Sequence, residues 1–264
     1  MDDLGALLAA YDEQLRTDAE TSSAVSVAFR GPVHLATFGG GRGHVTYRDL
    51  GTAGPDAIDG LVREALAYYG ADPEVTEVEW KTRGHDHAPG LHDSLLRHGF
   101  VPGEPESIMI GRAESLAVHV PLLDGVVLRQ IRAADDVRAM SAMAAEVFGD
   151  SPADGAAEAE ALMRRLGRDD GMELWVAEAR GQVVSGGRLE PVDGTAFAGI
   201  WGGFTLPEWR GRGIYRALTA ARAASALRMG KTLVHSDSTG YSRPILERSG
   251  LHRVSTTTPY LWRR

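Results

Sequence analysis

The residues with the clearest chemical content are Arg210, Gly211, Arg212 and Gly213, in the turn Glu208-Trp-Arg-Gly-Arg-Gly213. Glycine has no Cβ, so a ligand can approach the backbone closely, and the first N–H groups of a helix that follows have no intrahelical partner. With two guanidinium groups beside them, these donors make a trap for an anion, phosphate above all. A second group of reactive types, His85, Asp86, His87, His92 and His98, has the composition of a metal site. Ligands must converge on one point, however, and neighbours in a loop diverge, so the reading adopted is turn and cap chemistry, with Asp86 capping and no metal bound. A substrate-facing role for that loop lies between the two.

The anion trap is not that of a nucleotide-binding loop. Ile214-Tyr-Arg follows Gly213, so there is neither the lysine for phosphate nor the hydroxyl for magnesium that such a loop needs. A dinucleotide fingerprint would place a third glycine where Arg216 stands and would open a parallel sheet rather than come this late.

The elements that must position the turn are legible on either side. Ala196 to Leu206 is apolar and β-favouring, and Pro207 ends its ladder by removing a donor. From Ile214, the residues Ile214, Ala217, Leu218, Ala221 and Ala224 repeat at helical spacing, with Arg216 and Arg222 placed off that face. The unit is strand, glycine-rich turn, helix. Around it the second half predicts a strand at Val126–Ile131, helices at Asp135–Val147 and Ala156–Leu166, and strands at Glu173–Ala179 and Gln182–Leu189. After the turn come a strand at Thr232–Ser236, a helix at Arg243–Ser249 ended by Gly250, and a strand at Arg253–Trp262.

The first half predicts an opening helix over Leu4, Leu7, Leu8, Tyr11 and Leu15, capped by Asp2 and Asp3, then a hairpin of Ser23–Phe29 and Val33–Phe38. Gly39–Gly43 reads as a hairpin tip, Pro55–Tyr69 as a helix, Val75–Trp80 as a strand, Leu91–His98 as a short helix and Pro105–Arg112 as a closing strand. Ala113–Gly125 has no strong periodicity and reads as a connection.

The turn and its flanks resemble motif A of the GNAT superfamily of acyl-CoA-dependent N-acyltransferases, Gln/Arg-x-x-Gly-x-Gly/Ala between a splayed strand and a helix. Arg210 and Gly213 match, and Tyr215 stands at the last position. The order β-α-α-β-β-β-α-β-α-β is also the GNAT order. The resemblance implies an α/β fold with a mixed sheet, complete in residues 119–264. Residues 1–118 read as a degenerate GNAT-like domain, because Leu95-Leu-Arg-His-Gly99-Phe100 parallels Leu246-Glu-Arg-Ser-Gly250-Leu251 while the glycine turn is missing.

By that resemblance the cofactor is acetyl-CoA, with backbone groups of Phe204, Thr205 and Leu206 on the pantetheine arm, Arg210, Gly211, Arg212, Gly213, Ile214 and Tyr215 around the pyrophosphate, and Ser242 near the arm. The family's usual glutamate on the motif strand is absent, since Thr195–Thr205 holds no acid, and Leu246 stands where its usual acidic tyrosine would be. Glu190, Asp237 and Tyr241 are the nearest groups that could move protons, the first two through water. Two functions stay open: an N-acetyltransferase acting on the primary amine of a small molecule, and a non-catalytic GNAT-like module that binds an acyl-CoA or another ligand. The first domain would then supply walls of the acceptor site or a homodimer interface.

Composition bounds these readings. The formal charge of −8 argues against a nucleic-acid partner, and zero cysteines exclude disulfides, thiolate metal sites and a cysteine nucleophile. No apolar run approaches a membrane span, the acidic start lacks the basic region of a signal peptide, and a cytoplasmic location is expected.

Overall fold

Apolar alternation becomes strands, and 3.6-residue periodicity becomes helices, in the computed structural model of the chain, which describes residues 3–264. In chain order the elements are α1 (Leu4–Gln14), α2 (Asp18–Thr21), β1 (Ser26–Arg30), β2 (Val33–Phe38), β3 (Arg42–Tyr47), α3 (Pro55–Gly70), β4 (Glu77–Arg83), α4 (Leu91–Arg97), β5 (Val101–Pro102) and β6 (Glu106–Arg112). There follow α5 (Ala113–Leu116), β7 (Val126–Ile131), α6 (Ala134–Phe148), α7 (Pro152–Leu166), β8 (Glu173–Ala179), β9 (Gln182–Pro191) and β10 (Phe197–Thr205). A 3₁₀ turn (Pro207–Trp209), α8 (Ile214–Arg228), β11 (Leu233–Ser238), α9 (Arg243–Ser249) and β12 (His252–Arg263) complete the chain.

The chain divides into two units that are not contiguous in sequence. The first holds residues up to Ile108 together with Asp237–Tyr241 and Arg253–Arg264, and the second holds Met109–Ser236 and Ser242–His252. In the first unit the strands run β1-β2-β3-β4-β12. β3 and β4 are parallel over Arg42–Val45 and Glu77–Trp80, and β12 runs antiparallel to β4 from Thr257 to Arg263. Helix α3 lays Ile58, Val62, Ala65 and Tyr69 into a core with Val45, Tyr47, Trp80 and Phe100. Asp3 caps α1, accepting from the N–H groups of Gly5 and Ala6 at 3.0 and 3.3 Å, whereas the capping expected of Asp2 lies outside the described residues.

In the second unit the strands run β7-β8-β9-β10-β11, antiparallel except for the parallel pair β10–β11. Helix α7 starts at Pro152, four residues before the sequence expectation, because Ser151 and Asp154 form a reciprocal cap ahead of it. The expected connection after β6 begins with a helical turn, α5, whose Ala113 and Leu116 join the apolar cluster of α8. The two short helices end in the same backbone turn, one that α6 and α8 also make, at Asp150 and Lys231. After α4, the Phe100 N–H reaches the Leu95 carbonyl, and after α9 the Leu251 N–H reaches that of Leu246, both at 3.0 Å.

Candidate active site

β10 and β11 are paired only from Phe197 to Gly199 against Leu233 to His235. Beyond that point Ser236 Oγ donates to the Ile200 carbonyl at 2.9 Å. On its other edge β10 pairs with β9, but the register slips between Trp201 and Phe204, leaving Gly202 and Gly203 without partners on β9. A pair of glycines inside a strand is the sequence sign of such a bulge. The extra residue also turns the strand over. Ala198 and Ile200 pack with Ala223 and Ala226 of α8, and strict alternation would send Phe204 the same way, yet Phe204 lies with Met140 and Leu162 of the α6–α7 cluster.

The end of β10 is firmly held. Leu206 N–H donates to the Val184 carbonyl at 3.0 Å and its carbonyl accepts from Trp209 N–H at 2.9 Å. Thr205 Oγ1 lies 2.8 Å from Ser185 Oγ, which also donates to the Phe204 carbonyl. Of the three residues expected to offer backbone groups to the pantetheine arm, Leu206 therefore has both of its own engaged. The backbone freed from β9 is at Gly202 and Gly203.

The turn that follows has the form of an anion cradle. Gly211 and Gly213 adopt φ of 72° and 78°, a left-handed backbone that side chains resist, and a Cβ on either would meet open space. Gly213 is the N-cap of α8 and no side chain caps the helix, so the N–H groups of its first turn, from Ile214 and Tyr215 onward, remain available to a ligand. Arg210 Nε is tied to the Thr205 carbonyl at 3.1 Å, and the Arg212 guanidinium lies 5.2 Å from the centre of the Trp209 ring. Both arginines are exposed beside the turn. These residues fit a pyrophosphate, and would hold one by N–H donors, the helix dipole and two fixed cations. Ser242 is the N-cap of α9.

The three groups considered for proton transfer have separate engagements. Glu190 is bonded to Arg188 Nε at 2.6 Å and lies 3.5 Å from Arg165 Nη2. Asp237 accepts from Lys81 Nζ at 2.9 Å. Tyr241 is 93 % exposed. The histidine segment is likewise tied into the first unit: His85 bonds Ser255 and Asp12, His92 bonds Tyr260, and His98 bonds Asp59. Asp86 receives Arg16 instead of capping a helix, because α4 begins after Gly90 and the buried guanidinium needs the charge.

Two side chains escaped the sequence reading. Arg222, placed there off the apolar face of α8, is 1 % exposed. Its spacing of four from Leu218 and eight from Ile214 puts it on the inward stripe, and its charge hid that signal. Tyr215, expected at the pyrophosphate, lays its ring on Gly203, where a Cβ would come within 2.7 Å of the hydroxyl.

Residues 139–244 match the family model described as Acetyltransferase (GNAT) family. Among solved structures, a GCN5-related N-acetyltransferase from Kribbella flavida superposes with a TM-score of 0.64 at 15 % identity, covering 97 % of this chain and 93 % of that one. A functionally unknown conserved protein from Staphylococcus epidermidis gives 0.67 at 13 % identity, over 94 % and 98 %. A tandem GNAT protein from the clavulanic acid biosynthesis pathway gives 0.60 at 16 % identity, over 88 % and 78 %. No curated protein sequence matches. No helix among the described residues is long and apolar enough to cross a membrane. Residues 139–244 are thus similar to the acetyltransferase (GNAT) family, within a mixed α/β fold that GNAT structures share over nearly the whole chain.

Proposed function

We propose that this protein is an N-acetyltransferase that moves the acetyl group of acetyl-CoA to the primary amine of a small molecule. The observation that carries the reading is the uncapped start of α8, with Gly211 and Gly213 left-handed between Arg210 and Arg212, directly after a strand that parts from its parallel neighbour. The donor's pyrophosphate would lie on Arg210–Tyr215 and its arm along Phe204, Thr205 and the Gly202–Gly203 bulge, whose N–H groups can polarise a thioester carbonyl.

We expect a single donor site per chain, because the turn before α3, Asp49-Leu-Gly-Thr-Ala-Gly54, has no arginine beside its glycines. The Asp49 carboxylate already accepts the Gly51 N–H at 2.7 Å, and Pro55 removes a donor from the first turn of α3. That is the physical sense in which residues 1–118 would be degenerate.

Calorimetric titration with acetyl-CoA should give one site per chain. Gly213→Asp should abolish it, while Gly213→Asn, which tolerates the left-handed backbone without adding charge, should retain much of the affinity. Equal affinity for the Asp variant and wild type would remove the assignment. Thiol release from acetyl-CoA with a panel of amines separates the enzyme from a non-catalytic acyl-CoA-binding module, a reading favoured by the lack of any acid from Thr195 to Thr205.

A further inference from the structure

Arg222 is buried, and no carboxylate among the described residues forms an ion pair with it. Its Nε donates to the Leu218 carbonyl at 3.2 Å and its Nη1 to the Arg188 carbonyl at 3.3 Å, while Nη2 has no hydrogen-bond partner. Burying an unpaired charge is costly, so its retention asks for a function. The ionisable group that faces it is the phenol of Tyr215, whose ring centre is 5.9 Å from the guanidinium carbon. Burial disfavours the Arg222 charge, and the Tyr215 phenol works in the opposite direction.

The other side of Tyr215 touches the bulge. Its hydroxyl and ring edge lie against Gly203, at the point where β10 has left β9 and β11. A line of contacts therefore runs from a buried cation, through a phenolic hydroxyl, to the bulged backbone of the strand on which a thioester would lie. Glu190 is committed to two arginines, and Tyr241 projects into solvent. The second unit brings the phenolic proton of Tyr215 to Gly203, while Arg188 Nη1 lies beside Gly202 and the His235 ring lies 5.2 Å from that of Trp201.

We infer that Tyr215 is the acid of the acyl transfer and that Arg222 is its positioning partner, an inference that rests on the acetyltransferase reading above. In the step, the amine nitrogen bonds to the acyl carbon. The carbon–sulfur bond breaks with its electron pair left on sulfur, and the phenolic proton passes to that sulfur to give the free thiol. The tyrosinate, held beside the guanidinium, then takes up the proton shed by the nitrogen, so both groups return to their starting state.

The test uses the full chain with acetyl-CoA and an accepted amine. Tyr215→Phe keeps the ring on Gly203 and removes the proton, so kcat should fall about a hundredfold or more, with the Kd for acetyl-CoA changed less than about threefold and the melting temperature kept. Arg222→Met should lower kcat in the same direction, and adding it to Tyr215→Phe should cost little more, since both act on one proton. A Tyr215→Phe enzyme within a few fold of wild type overturns the inference and leaves the acetyltransferase reading standing. A wild-type protein that releases no thiol with any amine overturns both, and should Arg222→Met not fold, Tyr215→Phe decides alone.

Discussion

Lys81 Nζ lies 2.9 Å from Asp237 Oδ2, in the first unit, at the centre of a largely buried charge network. Lys81 also lies 3.8 Å from Glu20, and Glu20 pairs with Arg83, whose Nε reaches the Tyr11 hydroxyl at 3.4 Å. Burial opposes the charge on Lys81, but Asp237, with help from Tyr11 and Glu20, outweighs it and holds the ammonium ionised far above neutrality. Removing one member leaves a buried charge uncompensated, which costs more than the pair itself contributes. Lys81→Met is expected to destabilise by about 3–5 kcal/mol in urea denaturation, and Lys81→Met with Asp237→Leu by less than the sum of the single changes. Additive losses would show that the pair is not coupled.

The same network makes stability fall in acid. Burial alone would raise the Glu20 carboxyl, but Arg83 first and then Lys81 and His44 overcome it and bring the group down from 4.5 to about 2. A carboxylate depressed in the folded state contributes stability that is complete above its unfolded value of 4.5 and is lost as pH falls toward 2. The contribution is about 3 kcal/mol by linkage. Glu20→Gln should therefore lower stability at neutral pH and flatten the stability profile between pH 4.5 and 2, measured as denaturation midpoints against wild type. An unchanged acid slope would mean that Glu20 titrates normally.

Tyr241 offers a contrast with Tyr215. At 93 % exposure its hydroxyl has nothing to lose on substitution, and surface changes of this kind stay within about 0.5 kcal/mol. Tyr241→Phe should leave the melting temperature and kcat within a few fold of wild type. A large fall in kcat would return the acid role to this loop.

Much of the second unit was legible because each of its elements carries its own period and punctuation. Gly250 after α9 and the glycine turn before α8 are local signals, and they sit where the pattern put them. What escaped depends on register and on contacts distant in sequence. The bulge at Gly202 and Gly203 reverses which face Phe204 presents, and no count of alternation across it reveals that. A hydrophobic pattern passes over Arg222 because charge outweighs position in it, although Leu218 one turn earlier marks its direction. The return of β12 to the first unit beside β4 is a pairing nearly two hundred residues apart in sequence, which periodicity cannot report.

The contact between Gly203 and Tyr215 gives a prediction that does not depend on catalysis. Gly203 has ordinary backbone angles, so alanine there incurs no strain of its own, but its methyl would come within 2.7 Å of both the ring edge and the hydroxyl of Tyr215. Overpacking of this order costs about 1–3 kcal/mol when the neighbour cannot retreat, and Tyr215 is backed by Arg222, itself fixed to two carbonyls. Gly203→Ala should therefore unfold at lower denaturant than wild type. Combining it with Tyr215→Leu should recover at least about 1 kcal/mol relative to the sum of the two single losses, because the shorter side chain vacates the space that the methyl needs. If the two losses simply add, the ring does not press on the strand in solution, and the line of contacts from Arg222 to the bulge is broken at its middle.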